Sequence, residues 1–354
     1  MKNICFLEGD ISRRGGTEKM TSTLANALKE DYNVYIFSLK LENKLFYHIS
    51  ENVKIVNISE NINKFNFLKI IFNIRKFLRK FHVDCVINVD IGMGIYGILS
   101  TLLTDIYTIT WEHSNFYNNW NSKYFPLLRK FAAKFSDALV VLTNRDKENY
   151  LRNLKIKIPI VVIPNPLLNK NDIDTSYDKN SRKIISAGML LPIKGYDLCI
   201  KVAKKVLNKN TNWKWCICGG GPLKEELQQM IYKEKLENQM FLKGSIPNMD
   251  LEYKDSAIFV LTSRMEGLPM VLLEAKAWKL PIVSFDIMTG PSDLIINGEN
   301  GYLIEPFDVD AMANKINYLI SNEEVRYEFS LNSQLGMEDY DKDVILQKWK
   351  KILG

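Results

Sequence analysis

Strand-like and helix-like patterns alternate along this chain twice, and that alternation limits the fold more than any other feature. Apolar runs near residues 2–8, 33–38, 84–89, 106–111, 138–143 and 159–163 are separated by segments whose apolar positions recur at helical spacing. The alternation returns near 183–187, 213–218, 240–243, 257–262 and 281–285. Continuous apolar strands are buried on both faces, the condition of a parallel sheet covered by helices, and helices also supply the crossovers that parallel neighbours need. The two series predict an α/β chain with two Rossmann-like domains over 1–165 and 183–338. The polar run Leu168 to Ser181 predicts a linker within 166–182, and a terminal helix over 339–354 is expected to pack back across the domains. At 354 residues, with 46% hydrophobic and 25% charged content, the chain is long enough for two such cores.

Ligands bind open parallel sheets outside the carboxyl ends of the strands, so the strand-to-helix loops are the candidate site, in a cleft between the domains. Arg14-Gly15-Gly16-Thr17 follows the first strand. Its paired glycines allow main-chain N–H groups close to a phosphate or sugar, although a tight turn accounts for them equally. His113 follows the strand Tyr107 to Trp111, where an imidazole can bond a hydroxyl; for a histidine met alone, packing is the commoner explanation. Gly219-Gly220-Gly221-Pro222 closes another strand as either a turn or a binding loop. Ser263-Arg264-Met265-Glu266-Gly267-Leu268-Pro269 places one carboxylate in a loop, and Glu274 lies early on the helix that Pro269 opens. Carboxylates there accept bonds from hydroxyls and helix N–H groups hold phosphate, which together suit a sugar nucleotide.

Other chemistries find less support. The glycine loops match neither G-x-G-x-x-G nor G-x-x-x-x-G-K-[ST], which argues against a nicotinamide dehydrogenase and a P-loop kinase. Cys5, Cys85, Cys199, Cys216 and Cys218 lie mostly in strand-like runs and read as buried thiols of a reducing compartment. Cys216 and Cys218 share a strand face, but no further Cys or His cluster completes a metal site. Asp172-Ile173-Asp174 and Asp341-Lys342-Asp343 have metal-motif spacing but read as linker and helix start, so no metal is expected.

Glu266, seven residues and Glu274, with Gly267-Leu268-Pro269 between them, resemble the signature of the retaining glycosyltransferases of family 4. That family has the GT-B fold, two Rossmann-like domains with parallel sheets facing across a cleft. The resemblance also takes in Trp111-Glu112-His113-Ser114, Ile163-Pro164-Asn165-Pro166, Gly188 through Gly195 and Thr289-Gly290-Pro291-Ser292-Asp293, and is strongest to the bacterial subgroup that builds capsule, exopolysaccharide or O-antigen repeats. It implies a UDP-sugar donor, a hexose or N-acetylhexosamine with galactose as first choice, and a polyprenyl-diphosphate-linked glycan acceptor. It implies that His113 contacts the donor sugar, Lys194 the diphosphate, Glu266 the sugar hydroxyls and Glu274 the ribose, with Gly15, Gly16, Met189, Gly220, Gly267, Leu268 and Pro269 lining the donor. Ser245 and Ile246 fall in the nucleobase pocket. Met189 stands where the family has an arginine, leaving Lys194 as the main local charge with Arg14 or Arg264 as substitutes. Retention by front-face transfer without a bound metal is the implied mechanism. A catalytically silent GT-B partner of another transferase, or an epimerase or hydrolase of the same fold, are the alternatives.

Residues 1–165 carry 23 Lys and Arg against 15 Asp and Glu, a net of +8, which leaves −2 for the rest of the +6 chain. The excess concentrates over 64–82, where basic residues alternate with Phe, Leu and Ile at helical spacing. Such a helix fits an anionic bilayer surface, and the solvated side of an ordinary sheet-covering helix reads the same way. No nucleic-acid motif accompanies the charge. With no signal peptide or membrane-length apolar run, the expected location is the cytoplasm, with peripheral contact at the inner face of the membrane.

Overall fold

The run Asn3–Asp10 forms the first strand (β1), and in the computed structural model Ile4 to Leu7 are fully buried by helices on both sides of the sheet. The structure describes residues 1–42, 44–58, 66–119, 122–167 and 176–354. One unit comprises Met1–Asn165 and Asp343–Gly354, the other Pro166–Lys342.

In the first unit β1 is followed by α1 (Gly16–Leu28), β2 (Asn33–Lys40), β3 (Lys54–Asn57), α2 (Phe67–Lys80), β4 (Cys85–Val89) and α3 (Ile91–Thr101). Then come β5 (Tyr107–Trp111), α4 (Phe125–Phe135), β6 (Ala138–Val141), α5 (Asn144–Asn153) and β7 (Ile160–Val162). The seven strands are parallel in the order β3-β2-β1-β4-β5-β6-β7. The second unit runs β8 (Lys183–Ala187), α6 (Tyr196–Leu207), β9 (Lys214–Cys218), α7 (Lys224–Lys233), β10 (Met240–Gly244), α8 (Asp250–Lys254) and β11 (Ile258–Leu261). It continues α9 (Met270–Ala277), β12 (Ile282–Phe285), α10 (Pro291–Leu294), β13 (Gly301–Ile304), α11 (Val309–Ser321) and α12 (Glu323–Asn332). Its six strands are parallel in the order β10-β9-β8-β11-β12-β13.

The last helix, α13 (Lys342–Leu353), returns to the first unit. It buries Ile345, Trp349 and Leu353, sets the Trp349 ring 4.9 Å from that of Trp111, and pairs Lys350 with Asp31 at 2.7 Å. All five cysteines are free and buried. Among the described residues no helix is long and apolar enough to cross a membrane.

Two strands were not legible as apolar runs. β3 and β13 are edge strands of four residues, and an edge buries too little side chain to require a continuous apolar stretch. Pro269 stands just before α9 as its cap rather than as its first residue. The basic segment forms α2, with Ile70, Ile74 and Leu78 buried, while Lys64 and Phe65 lie outside the described residues. So do residues 168–175, which include Asp172-Ile173-Asp174.

Truncating an indole buried like that of Trp349 removes about 3–5 kcal/mol. Trp349→Ala should therefore lower the denaturant midpoint of unfolding markedly, and an unchanged midpoint would show that α13 adds little to the first unit.

Candidate active site

In the second unit the loops after β8, β9 and β10 interlock through their main chains. Gly188 N donates to Cys218 O (2.9 Å), Gly219 N to Gly244 O (2.8 Å) and Leu190 N to Gly220 O (2.9 Å). Gly219 has φ +156°, and a Cβ there would lie 1.8 Å from Gly188 O, so no other residue fits without moving the neighbouring loop. The Met189 side chain between these loops is 54% exposed; Ser245 is exposed and Ile246 half-buried.

The loop after β11 carries Glu266 against Lys194, which ends the short 3-10 turn Pro192–Lys194. Lys194 Nζ donates to Glu266 Oε1 (2.7 Å) and Oε2 (2.8 Å), and Ser263 Oγ donates to Oε1 (2.6 Å). Thr289 Oγ1, from the loop after β12, donates to Glu266 O (2.5 Å). Gly290 packs where a Cβ would come 2.4 Å from Pro269 Cδ, so the β12 loop lies directly on Gly267-Leu268-Pro269. Leu268 is buried and anchors the turn. Arg264, the substitute the sequence offers for the arginine missing at 189, is paired within the second unit. Its guanidinium grips Asp197 with two bonds (2.8 and 2.7 Å) and also donates to Pro192 O (2.9 Å). That hydrogen bonding holds the Asp197 carboxyl below its ordinary range. On α9, Glu274 Oε2 accepts from Tyr253 OH (2.8 Å), whose phenol stays protonated because burial pushes its pKa well up.

In the first unit Gly15 and Gly16 open α1, and their requirements differ. A Cβ on Gly15 would lie 2.1 Å from Glu18 Oε2, whereas a Cβ on Gly16 would meet nothing within 4 Å. At Gly15 a side chain would displace only the Glu18 carboxylate, and at Gly16 it would displace nothing. Beneath this loop Glu8, at the end of β1, is 5% exposed and accepts from Thr21 Oγ1 (2.9 Å) and Gly9 N (3.1 Å). Burial first, then the charge of Glu18, pushes its pKa up to about 8.

His113 follows β5 with its ring 4.0 Å from that of Trp111. The residue is half-buried, but its Nε2 is enclosed without a hydrogen-bond partner among the described residues, and burial drives its pKa down to about 3. The imidazole is therefore neutral at physiological pH. His48 and His82 are exposed, in keeping with surface roles.

Sequence reasoning missed the partners of these residues. Ser263, Thr289 and Tyr253 are common polar types with no spacing signal. Arg129 did leave one, since it shares a helix face with Phe125, Leu128 and Ala132 and so occupies a core phase, where an arginine requires a buried acid. Among the described residues no group of three or more His, Cys, Asp or Glu side chains is placed to hold a metal.

Comparison with known proteins agrees with this arrangement. Residues 14–167 match the family model described as Glycosyltransferase Family 4, and residues 169–335 the model described as Glycosyl transferases group 1. An uncharacterized glycosyltransferase of Haemophilus influenzae is 31% identical over 358 residues, covering 100% of both chains. An alpha-1,4-N-acetyl-D-galactosaminyltransferase of Campylobacter jejuni, named for a diphosphoundecaprenol-borne acceptor, is 28% identical over 363 residues, covering 100% of this chain and 99% of the relative. Among solved structures, Staphylococcus aureus TarM in complex with UDP superimposes with a TM-score of 0.81 at 20% identity over 100% of both chains. This chain belongs to the family 4 glycosyltransferases, enzymes of the GT-B fold.

The buried Glu8 carboxyl gives a pH prediction. The unfolded chain releases that proton near 4.5 and the folded chain near 8, so the folded state binds more protons between those values and loses stability as pH rises through them. Glu8→Gln removes this dependence. The stability difference between wild type and variant should shift against wild type by on the order of 3 kcal/mol from pH 5 to pH 8, read from denaturant melts. A difference independent of pH would show that Glu8 is ionised in the folded protein.

Proposed function

We propose that this glycosyltransferase moves a hexose or N-acetylhexosamine, galactose first, from UDP to a polyprenyl-diphosphate-linked glycan during bacterial surface-polysaccharide assembly, retaining the anomeric configuration and using no metal. The observation that carries the donor assignment is the Lys194–Glu266 pair, set beside glycine loops that leave main chain open to a ligand. On donor binding Lys194 exchanges Glu266 for the diphosphate, whose greater negative charge makes that exchange favourable. Glu266, still fixed by Ser263, then accepts from donor-sugar hydroxyls, and Glu274, oriented by Tyr253, accepts from the ribose diol. Main-chain groups around Gly220, Ser245 and Ile246 hold the nucleotide and base, and Met189 lines the diphosphate without a charge of its own. His113, neutral, serves as a hydrogen-bond partner for the donor sugar. The leaving phosphate takes the acceptor proton, so the reaction needs no protein base. An acceptor borne on diphosphoundecaprenol, and the alpha linkage in the Campylobacter jejuni relative's name, support the acceptor class and retention from an alpha-configured donor.

Calorimetry with UDP and turnover with UDP-galactose, UDP-N-acetylglucosamine and UDP-N-acetylgalactosamine test this reading. Glu274→Ala should weaken UDP binding by about tenfold, as loss of one charge-assisted pair of bonds implies. Lys194→Met should slow acceptor-dependent UDP release by about a hundredfold, and a chelator should leave it unchanged. Nucleotide binding with no turnover on any acceptor would instead identify a silent partner, and acceptor-independent UDP release a hydrolase.

We also infer that the first unit rests on an anionic membrane through α2. That helix contains no acidic residue, and Leu68, Lys69, Phe72, Lys76, Arg79 and Lys80 are all exposed on it. Nearby, Ser100 Oγ of α3 bonds Ile71 O at 3.2 Å, and Leu103, just past α3, is 92% exposed. Each basic residue at such a surface contributes about 1 kcal/mol. Lys76→Glu with Lys80→Glu should weaken sedimentation with phosphatidylglycerol vesicles by at least about thirtyfold. Equal binding to uncharged phosphatidylcholine vesicles would contradict the assignment.

A further inference from the structure

We propose that Arg129 and Glu112 are positioning residues for His113, a buried ion pair that fixes the loop carrying the imidazole and so holds it inside the fold. The functional consequence rests on the reading of His113 given above; the positioning itself does not.

Glu112 immediately precedes His113 and its side chain is fully buried. Its main-chain N–H donates to Val140 O (2.9 Å), which ties it to β6. Its carboxylate then closes over the histidine, because Oε1 accepts from the N–H of Ser114 (3.2 Å), the residue after it. Oε2 accepts from Arg129 Nε (2.9 Å) and Tyr150 OH (2.8 Å). The rest of the guanidinium reaches down the same loop, Nη2 to Asn118 O (2.7 Å) and Nη1 to Asn119 Oδ1 (3.1 Å). Asn118 in turn donates to Ser114 Oγ (2.7 Å), and Asp146 of α5 accepts from Phe116 N (2.8 Å). One planar five-donor group thus bonds a residue before the histidine and two beyond it, which lysine has no geometry to reproduce.

The electrostatics make this pair costly to disturb. Asp90 and Asp146 are the other acids around Glu112, and burial first, then the charge of Glu112, pushes each up to about 7. Arg129 is the buried cation paired with Glu112 among them. Ordinary packing would be served by apolar residues at 112 and 129; what the ion pair adds is direction, since the bonds to Ser114, Asn118 and Asn119 end on the histidine's own loop. The loop fixed in this way is the one on which His113 Nε2 lies enclosed.

The test is an NMR titration of isotope-labelled histidine in the full chain between pH 5 and 8, with the His113 signal identified by its loss in His113→Ala. In wild type the His113 ring stays neutral across this range, as a value of about 3 requires. Arg129→Lys keeps the charge beside Glu112 and loses the bonds to Asn118 and Asn119. It should release the ring so that its midpoint rises toward about 6.5, the value of a solvated imidazole. Glu112→Leu with Arg129→Met removes both charges together, leaves neither member of the pair without its partner, and should give the same release while the protein still melts cooperatively. An unchanged His113 signal in either folded variant overturns the proposal. In turnover, Arg129→Lys should lower kcat about tenfold, with UDP affinity retained, and should add less than about twofold in the His113→Ala background. If His113→Ala leaves turnover unaltered, the reading of His113 fails while the titration still decides the positioning.

Discussion

The candidate site of the second unit depends on the ion pair between Lys194 and Glu266. Two residues 72 positions apart in the chain meet because β8 and β11 are adjacent and parallel, so the loops at their carboxyl ends emerge side by side. Without a ligand each charge satisfies the other, which avoids leaving a partly desolvated lysine or carboxylate unpaired. The supports belong to different strands. Ser263 holds the carboxylate, Thr289 holds the main chain of the same residue, and Gly290 lets the β12 loop close on Pro269. A pair built this way holds both side chains in place on a loop tied to its neighbours.

The first unit solves a different electrostatic problem. Its sheet ends in Glu8, Asp90 and Glu112, and burial first, then neighbouring negative charge, raises the proton affinity of Glu8 and Asp90. Protonation relieves Glu8 and Asp90 near neutral pH, while Glu112 has Arg129. The neutral histidine next to this cluster presents a hydrogen-bonding ring rather than a cation.

The sheets were legible in the sequence because each central strand is buried on both faces, and burial on both faces writes an unbroken apolar run. β3 and β13 escaped because edge positions impose no such demand. Of the candidate site, the glycines and Glu266 were proposed from loop position, Glu274 from its place early on a helix, and Lys194 from resemblance to a family pattern. The contact between Lys194 and Glu266 was not, since a strand order that skips from β8 to β11 leaves no trace in local pattern. Nor was the partner of Arg264 legible. Its position in the motif suggested a phosphate contact, and in the structure Asp197, the second residue of α6, accepts from both ends of its guanidinium. Charge read from sequence counts cations without revealing which are already paired.

A crystal structure of the protein soaked with UDP tests the central claim most directly. The account predicts the diphosphate among the loops after β8, β9 and β12, with Lys194 Nζ drawn from Glu266 onto a phosphate oxygen and the ribose within hydrogen-bond reach of Glu274. Nucleotide bound elsewhere, or bound there with the Lys194–Glu266 pair still closed, would contradict it.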